Sequence, residues 1–232
     1  MLGNSMKSLF ITGTDTDVGK TYVTAGLAVA IRKMNIDVGV MKPFAAGIAQ
    51  KEGFKSEDVE ILSRAAQTSD PESLMNPQFF PIAASPYTAW KNLKTKPRVN
   101  LILDSFKKLS KLHDMLLVEG MGGIMTPILS DYYVINLIKE MKIPAVIVTR
   151  SRVGTVNHTI MTCKMCEKYK IPIKGIIINN FDDGYAENDL KRDLRNLTGI
   201  NILGSIPFID DLSDSSLHKI FKKNLDLKSI LS

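Results

Sequence analysis

An α/β domain built on a parallel β-sheet with helices on both faces is the fold class this sequence predicts. Three observations carry that expectation. Short apolar runs alternate with amphipathic segments along all 232 residues, as in repeated strand–helix units. The apolar runs are continuous rather than alternating, as in strands buried on both sides. No linker, internal repeat or composition break divides residues 1–232, so one domain is expected. Apolar residues make up 44% of the chain, enough for a substantial core, and charged residues at 23% suit a solvated surface.

The elements follow in order. Residues 7–12 read as the first strand and run into Gly13-Thr-Asp-Thr-Asp-Val-Gly-Lys-Thr21. A helix is expected from Val23 to Met34, with Val23, Leu27, Ile31 and Met34 at helical spacing and Arg32 and Lys33 near its end. Strand, glycine loop, Gly-Lys-Thr and helix is the layout of a phosphate-binding loop. Backbone N–H groups and the helix N-terminus face the anion, Lys20 reaches the outer phosphates, and the Thr21 hydroxyl suits Mg²⁺. The usual motif places four residues between its first glycine and Gly-Lys; five separate Gly13 from Gly19.

Val38–Met41 is a second short strand, ending at Lys42-Pro43. Proline disfavours helix for the residue before it, so Lys42 is expected extended at the strand's carboxyl end, the ligand edge of an open α/β sheet. Residues 57–66 form an amphipathic helix with Asp58 at its start. Ser69–Pro97 holds five of the ten prolines and reads as an extended loop, with a short helix only near Thr88–Leu93; an excursion this long suggests function. Residues 98–112 are amphipathic. Met115–Val118 is a buried strand that delivers Glu119-Gly-Met-Gly-Gly123, a carboxylate suited to Mg²⁺ beside glycines that permit close approach to phosphate. A helix over 132–141 and a strand over 145–149 follow. A turn over 150–158 opens a helix ending near Tyr169. A strand over 174–178 ends at Asn179-Asn180, a helix covers 187–197, a strand covers 201–206 before Pro207, and the tail over 217–231 is helical.

Other features narrow the function. The net charge of +6 is spread along the chain, and its densest cluster, Lys91–Arg98, adjoins a single aromatic, Trp90, so no nucleic-acid partner is expected. No apolar run approaches the ~18 residues that span a bilayer. Met1–Met6 has neither a basic region nor a long apolar stretch, so no signal peptide is read and a cytoplasmic location is expected. Cys163 and Cys166 lie inside a helical pattern without a second cysteine pair, so both are expected reduced.

With these motifs placed, the chain resembles the dethiobiotin synthetases of the P-loop NTPase superfamily. The resemblance rests on the phosphate loop with its extra residue, Lys42-Pro-Phe-Ala-Ala-Gly47, Ser56-Glu-Asp58, Ser85-Pro86, Val118-Glu-Gly-Met-Gly-Gly123, Gly154-Thr-Val-Asn-His158 and Leu203-Gly-Ser-Ile-Pro207. It implies ATP-dependent carboxylation and ring closure of 7,8-diaminononanoate with CO₂, by way of a carbamate and a carbamic-phosphoric anhydride. It assigns catalysis to Lys20, Lys42 and Thr16, and Mg²⁺ to Thr21, Asp58 and Glu119. ATP falls to Asp17, Val18, Gly19, Lys20, Thr21, Tyr22, Asp58, Glu119, Gly120, Met121, Gly122, Asn179, Asn180 and Pro207, with Asn179 reading the adenine. The substrate falls to Thr16, Lys42, Ala46, Gly154, Thr155 and Asn157. In the family the Gly154–Asn157 turn comes from the partner subunit, which implies a homodimer with sites at the subunit interface. Ala46 stands where the family usually has serine and Tyr87 where histidine is common, so the serine's hydroxyl contact to the substrate is absent. Partitioning ATPases and metal chaperones of the superfamily typically carry a second lysine near Thr14 or Asp15 and lack the Lys42-Pro43 loop. An amidating synthase needs an ammonia source, for which no module is visible.

Overall fold

The structure is a computed structural model that describes residues 8–179 and 184–232. Its elements run β1 (Ser8–Gly13), α1 (Lys20–Arg32), β2 (Val38–Met41), β3 (Phe44–Ala46), α2 (Glu57–Ala66), α3 (Glu72–Met75), β4 (Gln78–Phe80), α4 (Pro86–Leu93) and α5 (Val99–Leu112). There follow β5 (Met115–Gly123), α6 (Val134–Met141), β6 (Ala145–Arg150), α7 (Thr155–Tyr169), β7 (Ile173–Asn179), α8 (Glu187–Thr198), β8 (Ile202–Ile206), α9 (Asp214–Asn224) and α10 (Leu227–Leu231).

Six strands form one parallel sheet in the order β2-β5-β1-β6-β7-β8. Strand side chains alternate between faces, and the two cores follow that period of two. Leu9, Ile11, Val146, Val148 and Ile177 pack on one face with Leu27 and Ile31 of α1 and Phe221 of α9. Phe10, Ala145, Ile147, Ile176 and Ile178 pack on the other with Ile102 of α5, Ile138 of α6 and Cys166 of α7. The chain leaves β1 toward β2 on one side and later builds β6, β7 and β8 on the other. The order therefore reverses around β1, and the crevice at the carboxyl ends of β1, β5 and β6 is where ligands bind in such sheets. Among the described residues no helix is long and apolar enough to cross a membrane.

The structure departs from the sequence reading in three places. Helix α1 begins at Lys20 rather than Val23, because Gly19 in a left-handed conformation (φ 85°) turns the chain directly into the helix. Lys20 and Thr21 thus belong to the first helical turn. The stretch 69–97 is not an extended loop. Its prolines punctuate short elements instead: Pro71 precedes α3, and Pro86 opens α4 behind Ser85, whose hydroxyl accepts from the Thr88 N–H. Strand β4 pairs in parallel with β3 to make a second, two-stranded sheet. The tail is two helices, because Leu225 leaves the helix to bridge Gly204 and the Asp226 N–H donates to the Leu203 carbonyl. Cys163 and Cys166 are free and buried; burial pushes their thiols up to about 11 and about 12, which keeps both as inert thiols at neutral pH.

Candidate active site

The phosphate loop is shaped by packing at both ends. A Cβ on Gly13 would lie 2.7 Å from Val18 Cγ2, and one on Gly19 would lie 2.0 Å from Asn179 Nδ2. Glycine is therefore required at both positions, and at Gly19 the positive φ requires it a second time. Asn179 Nδ2 donates to the Val18 carbonyl at 3.0 Å, tying β7 to the loop. Val18 is 5% exposed; its side chain holds the loop from inside and does not face the cleft. No side chain among the described residues caps the start of α1, and its first turn carries no acid. Its N–H groups and dipole are left to an anion.

Two lysines and two carboxylates meet where this loop faces β2 and β5. Glu119 is fully buried at the sheet's edge. Its Oε1 accepts from Lys42 Nζ at 2.6 Å and from Thr21 Oγ1 at 2.8 Å. Lys42 Nζ also donates to Asp58 Oδ2 at 2.5 Å. Burial opposes charge on Lys42, but Glu119 and Asp58 outweigh it and hold the ammonium above its ordinary value. Lys20 has no such pair among the described residues: burial pushes it down to about 8, with Glu119 pulling it back and Lys42 pushing it further down. Its Nζ donates to the carbonyl of Asp15 at 2.8 Å.

The Pro-rich stretch explains why Lys42 is placed so firmly. The Lys42 N–H donates to the Met75 carbonyl at 2.7 Å, and Asn76 Nδ2 donates to the Lys42 carbonyl, also at 2.7 Å. The rings of Phe44 and Phe80 stack across β3 and β4. The end of α3 and the residue after it thus clamp the lysine's backbone on both sides, next to the second sheet.

These groups line a cleft of about 560 Å³. It brings together Thr16, Asp17, Gly19, Lys20, Thr21, Tyr22, Lys42, Ala46, Asp58, Glu119, Gly120, Met121, Gly122 and Asn179. Glu57 and Ile61 on α2, which the sequence reading missed, also line it, together with Arg150 at the end of β6 and Phe208 and Ile209 after Pro207. Arg150 Nη1 donates to the Asp17 carbonyl at 3.0 Å; its place as the last residue of a buried strand was the available signal. Pro207 adjoins the cleft through its neighbours rather than lining it. Gly154, Thr155 and Asn157 do not line the cleft of their own chain; Thr155 is buried and Asn157 exposed at the start of α7. Asn180 lies outside the described residues.

The donor set fits a hard divalent cation. Glu119 Oε2 is buried without a hydrogen-bond partner among the described residues, which leaves one carboxylate oxygen open to a cation. Thr21 Oγ1 and Asp58 lie beside it, so the protein offers oxygen ligands only. No cluster of three His, Cys, Asp or Glu side chains suited to a metal occurs among the described residues; ligand oxygens would complete the shell.

Comparison with known proteins follows the same lines. A family model described as an AAA domain matches residues 7–216. The chain is 79% identical to the ATP-dependent dethiobiotin synthetase BioD of Nitrosopumilus maritimus (strain SCM1), over 97% of this chain and all of that one. It is 34% identical to the ATP-dependent dethiobiotin synthetase BioD of Bacillus subtilis (strain 168), over 98% of each. Among solved structures it is similar to the septum site-determining protein MinD of Pyrococcus horikoshii OT3 complexed with Mg-ADP, with a TM-score of 0.56 at 15% identity over 94% of this chain and 95% of that one. That likeness establishes the phosphate-loop fold.

Proposed function

The chain belongs to the ATP-dependent dethiobiotin synthetase family, a family of ligases in biotin biosynthesis, and we propose that its cleft closes a cyclic urea from 7,8-diaminononanoate, CO₂ and ATP. One amine adds to CO₂ and loses a proton to give a carbamate. A carbamate oxygen attacks the γ-phosphorus, ADP leaves, and a carbamic-phosphoric anhydride forms. The second amine attacks the carbonyl carbon, the bond to the phosphate oxygen breaks, and dethiobiotin and phosphate are released.

The chain's own groups suit these steps. The first turn of α1 and Lys20 bind the outer phosphates of ATP. Thr21, Asp58 and Glu119 would hold Mg²⁺, which when bound supplies positive charge to the phosphates. Lys42 reaches from the end of β2 toward the carbamate and the transferring phosphoryl group, where its fixed ammonium stabilises developing charge. Thr16 and Asp17, exposed at the tip of the loop, face the substrate amines. Ala46 offers backbone but no hydroxyl; a missing neutral hydrogen bond is worth about 0.5–1.5 kcal/mol. Asn179 and the residues after Pro207 form the adenine end of the cleft. The turn at Gly154, Thr155 and Asn157 stands apart from its own cleft, and we place it against the substrate carboxylate of a second copy, in a cytoplasmic homodimer.

The observation that carries this reading is the convergence of Lys20, Lys42, Thr21, Asp58 and Glu119 on one cleft. The test is incubation of the purified chain with Mg-ATP, bicarbonate and 7,8-diaminononanoate, with mass spectrometry for the cyclic urea. Product should accumulate with ADP and phosphate; none at millimolar substrate would overturn the assignment.

A further inference from the structure

Four threonine hydroxyls from three segments meet beneath the active-site edge. Thr14 opens the phosphate loop, Thr149 sits one residue before the end of β6, and Thr155 and Thr159 lie in the first two turns of α7. Thr149 Oγ1 lies 3.2 Å from Thr14 Oγ1, 2.5 Å from Thr155 Oγ1 and 3.0 Å from Thr159 Oγ1. Thr159 Oγ1 also donates to the Thr155 carbonyl at 2.7 Å. Thr149 and Thr159 are fully buried, and Thr155 is 5% exposed. A hydroxyl has one hydrogen and two lone pairs; with three partners, Thr149 is saturated.

The surroundings make this more than packing. The same end of β6 also holds the phosphate loop by the Thr14 N–H, which donates to the Val148 carbonyl at 3.0 Å. Arg150 holds its other end, at the carbonyl of Asp17, a residue with φ 55°. On the opposite side, the turn into α7 carries its exposed face at Val153 and Asn157 and is pinned inward through Thr155. Threonine is stiff at χ1. Any shift of Thr14 on phosphate binding would change the partners of Thr149, and with them the seat of Thr155.

We propose that Thr149 is a positioning residue that couples the phosphate loop to the α7 turn, so that nucleotide at the first changes affinity for the substrate carboxylate at the second. The proposal rests on the reading above that this turn meets that carboxylate. Under that reading the turn serves the other copy's cleft, and the hub carries the signal from one site toward the other.

The experiment measures binding of 7,8-diaminononanoate by calorimetry, with and without Mg²⁺ and the non-hydrolysable β,γ-methylene analogue of ATP. In the parent chain the analogue should tighten diamine binding by at least about fivefold, and diamine should tighten the analogue by the same factor, since coupling is reciprocal. Thr149→Val, which keeps shape and removes the hydroxyl, should bring that factor below about twofold, while Thr149→Ser should retain it. Parent-like coupling in Thr149→Val overturns the proposal, as do independent binding in the parent and equal loss in the Ser and Val variants. Should Thr149→Val not fold, Thr14→Val decides: it removes only the loop's arm of the hub, and parent-like coupling there is equally fatal. Failure of the parent to bind diamine at millimolar concentration is a different result; it overturns the substrate reading of the cleft and takes the coupling with it.

Discussion

Replacing Lys42 with methionine separates the lysine's electrostatic role from its place in the fold. Methionine keeps most of the apolar stem and removes the ammonium. In the parent chain that ammonium is 2.6 Å from a fully buried Glu119 and 2.5 Å from Asp58. Removing one partner of a buried pair costs about 3–5 kcal/mol, because the other charge is left uncompensated. Thr21 still donates to Glu119 Oε1, and Asp58 is 45% exposed and solvates itself, so the lower end, about 3 kcal/mol, is expected. For a chain of this size that lowers the melting temperature by about 6–12 °C. Mg²⁺ with ADP should narrow the gap, since the metal supplies the charge that Glu119 lost. Turnover should fall about 10²–10³-fold, as when one preorganised group aimed at transition-state charge is removed. Nucleotide affinity should persist, because Lys20 and the start of α1 are untouched. The assays are thermal melts with and without Mg-ADP, nucleotide binding by calorimetry, and steady-state turnover. Turnover within about threefold of the parent, under 1 kcal/mol of barrier, would refute the role given to this lysine. Loss of nucleotide binding would show that the substitution damaged the site more widely than the geometry allows.

Other expectations follow from the same contacts. Glu119→Gln keeps the shape but removes the charge beside Thr21; it should raise the Mg²⁺ needed for half-maximal turnover by at least about tenfold, and an unchanged Mg²⁺ titration would remove Glu119 from the metal site. Lys20 sits at about 8 in the folded chain against an ordinary 10.5, so between those values the unfolded chain binds more protons. Its burial therefore costs stability below pH 8, and the cost fades as pH rises from about 8 to about 10.5. A bound polyphosphate restores the ammonium, so nucleotide binding at pH 9 should take up close to one proton, read from calorimetry in buffers of differing ionisation enthalpy; no uptake would show that Lys20 does not meet the phosphates. Gly26→Ala would put a Cβ 2.0 Å from the ring of Phe221, and this overpacking of α1 on α9 should cost about 1–3 kcal/mol in denaturant unfolding, with Phe221→Leu restoring part of it.

The sheet was legible because its strands are long enough to bury continuous apolar runs. Val38–Met41 and Met115–Val118 announce themselves without any partner being known. Lys42, Asp58 and Glu119 were legible for a related reason: each ends or starts an element whose direction fixes the edge it reaches. Strands β3 and β4 were not. Three residues are too few for a period, and their pairing joins Phe44 to Gln78 across 34 positions. Beside that pairing, Lys42 is held by the Met75 carbonyl and the Asn76 side-chain amide, contacts that no periodicity reports. The threonine hub was hidden because it depends on the register of β6 against β1. His113 shows the same limit: it lacks metal-ligand spacing, yet it sits between Asp37 and Asp70 at 2.9 and 2.7 Å, in room left by Gly39.

In the proposed reaction ATP activates an oxygen that entered with CO₂. Supplying the chain with Mg-ATP, 7,8-diaminononanoate and CO₂ labelled with ¹⁸O in ordinary water, and quenching before exchange, tests it directly. One labelled oxygen should appear in each phosphate released and the other in the carbonyl of the cyclic urea. Cyclic urea formed alongside unlabelled phosphate would contradict the claim.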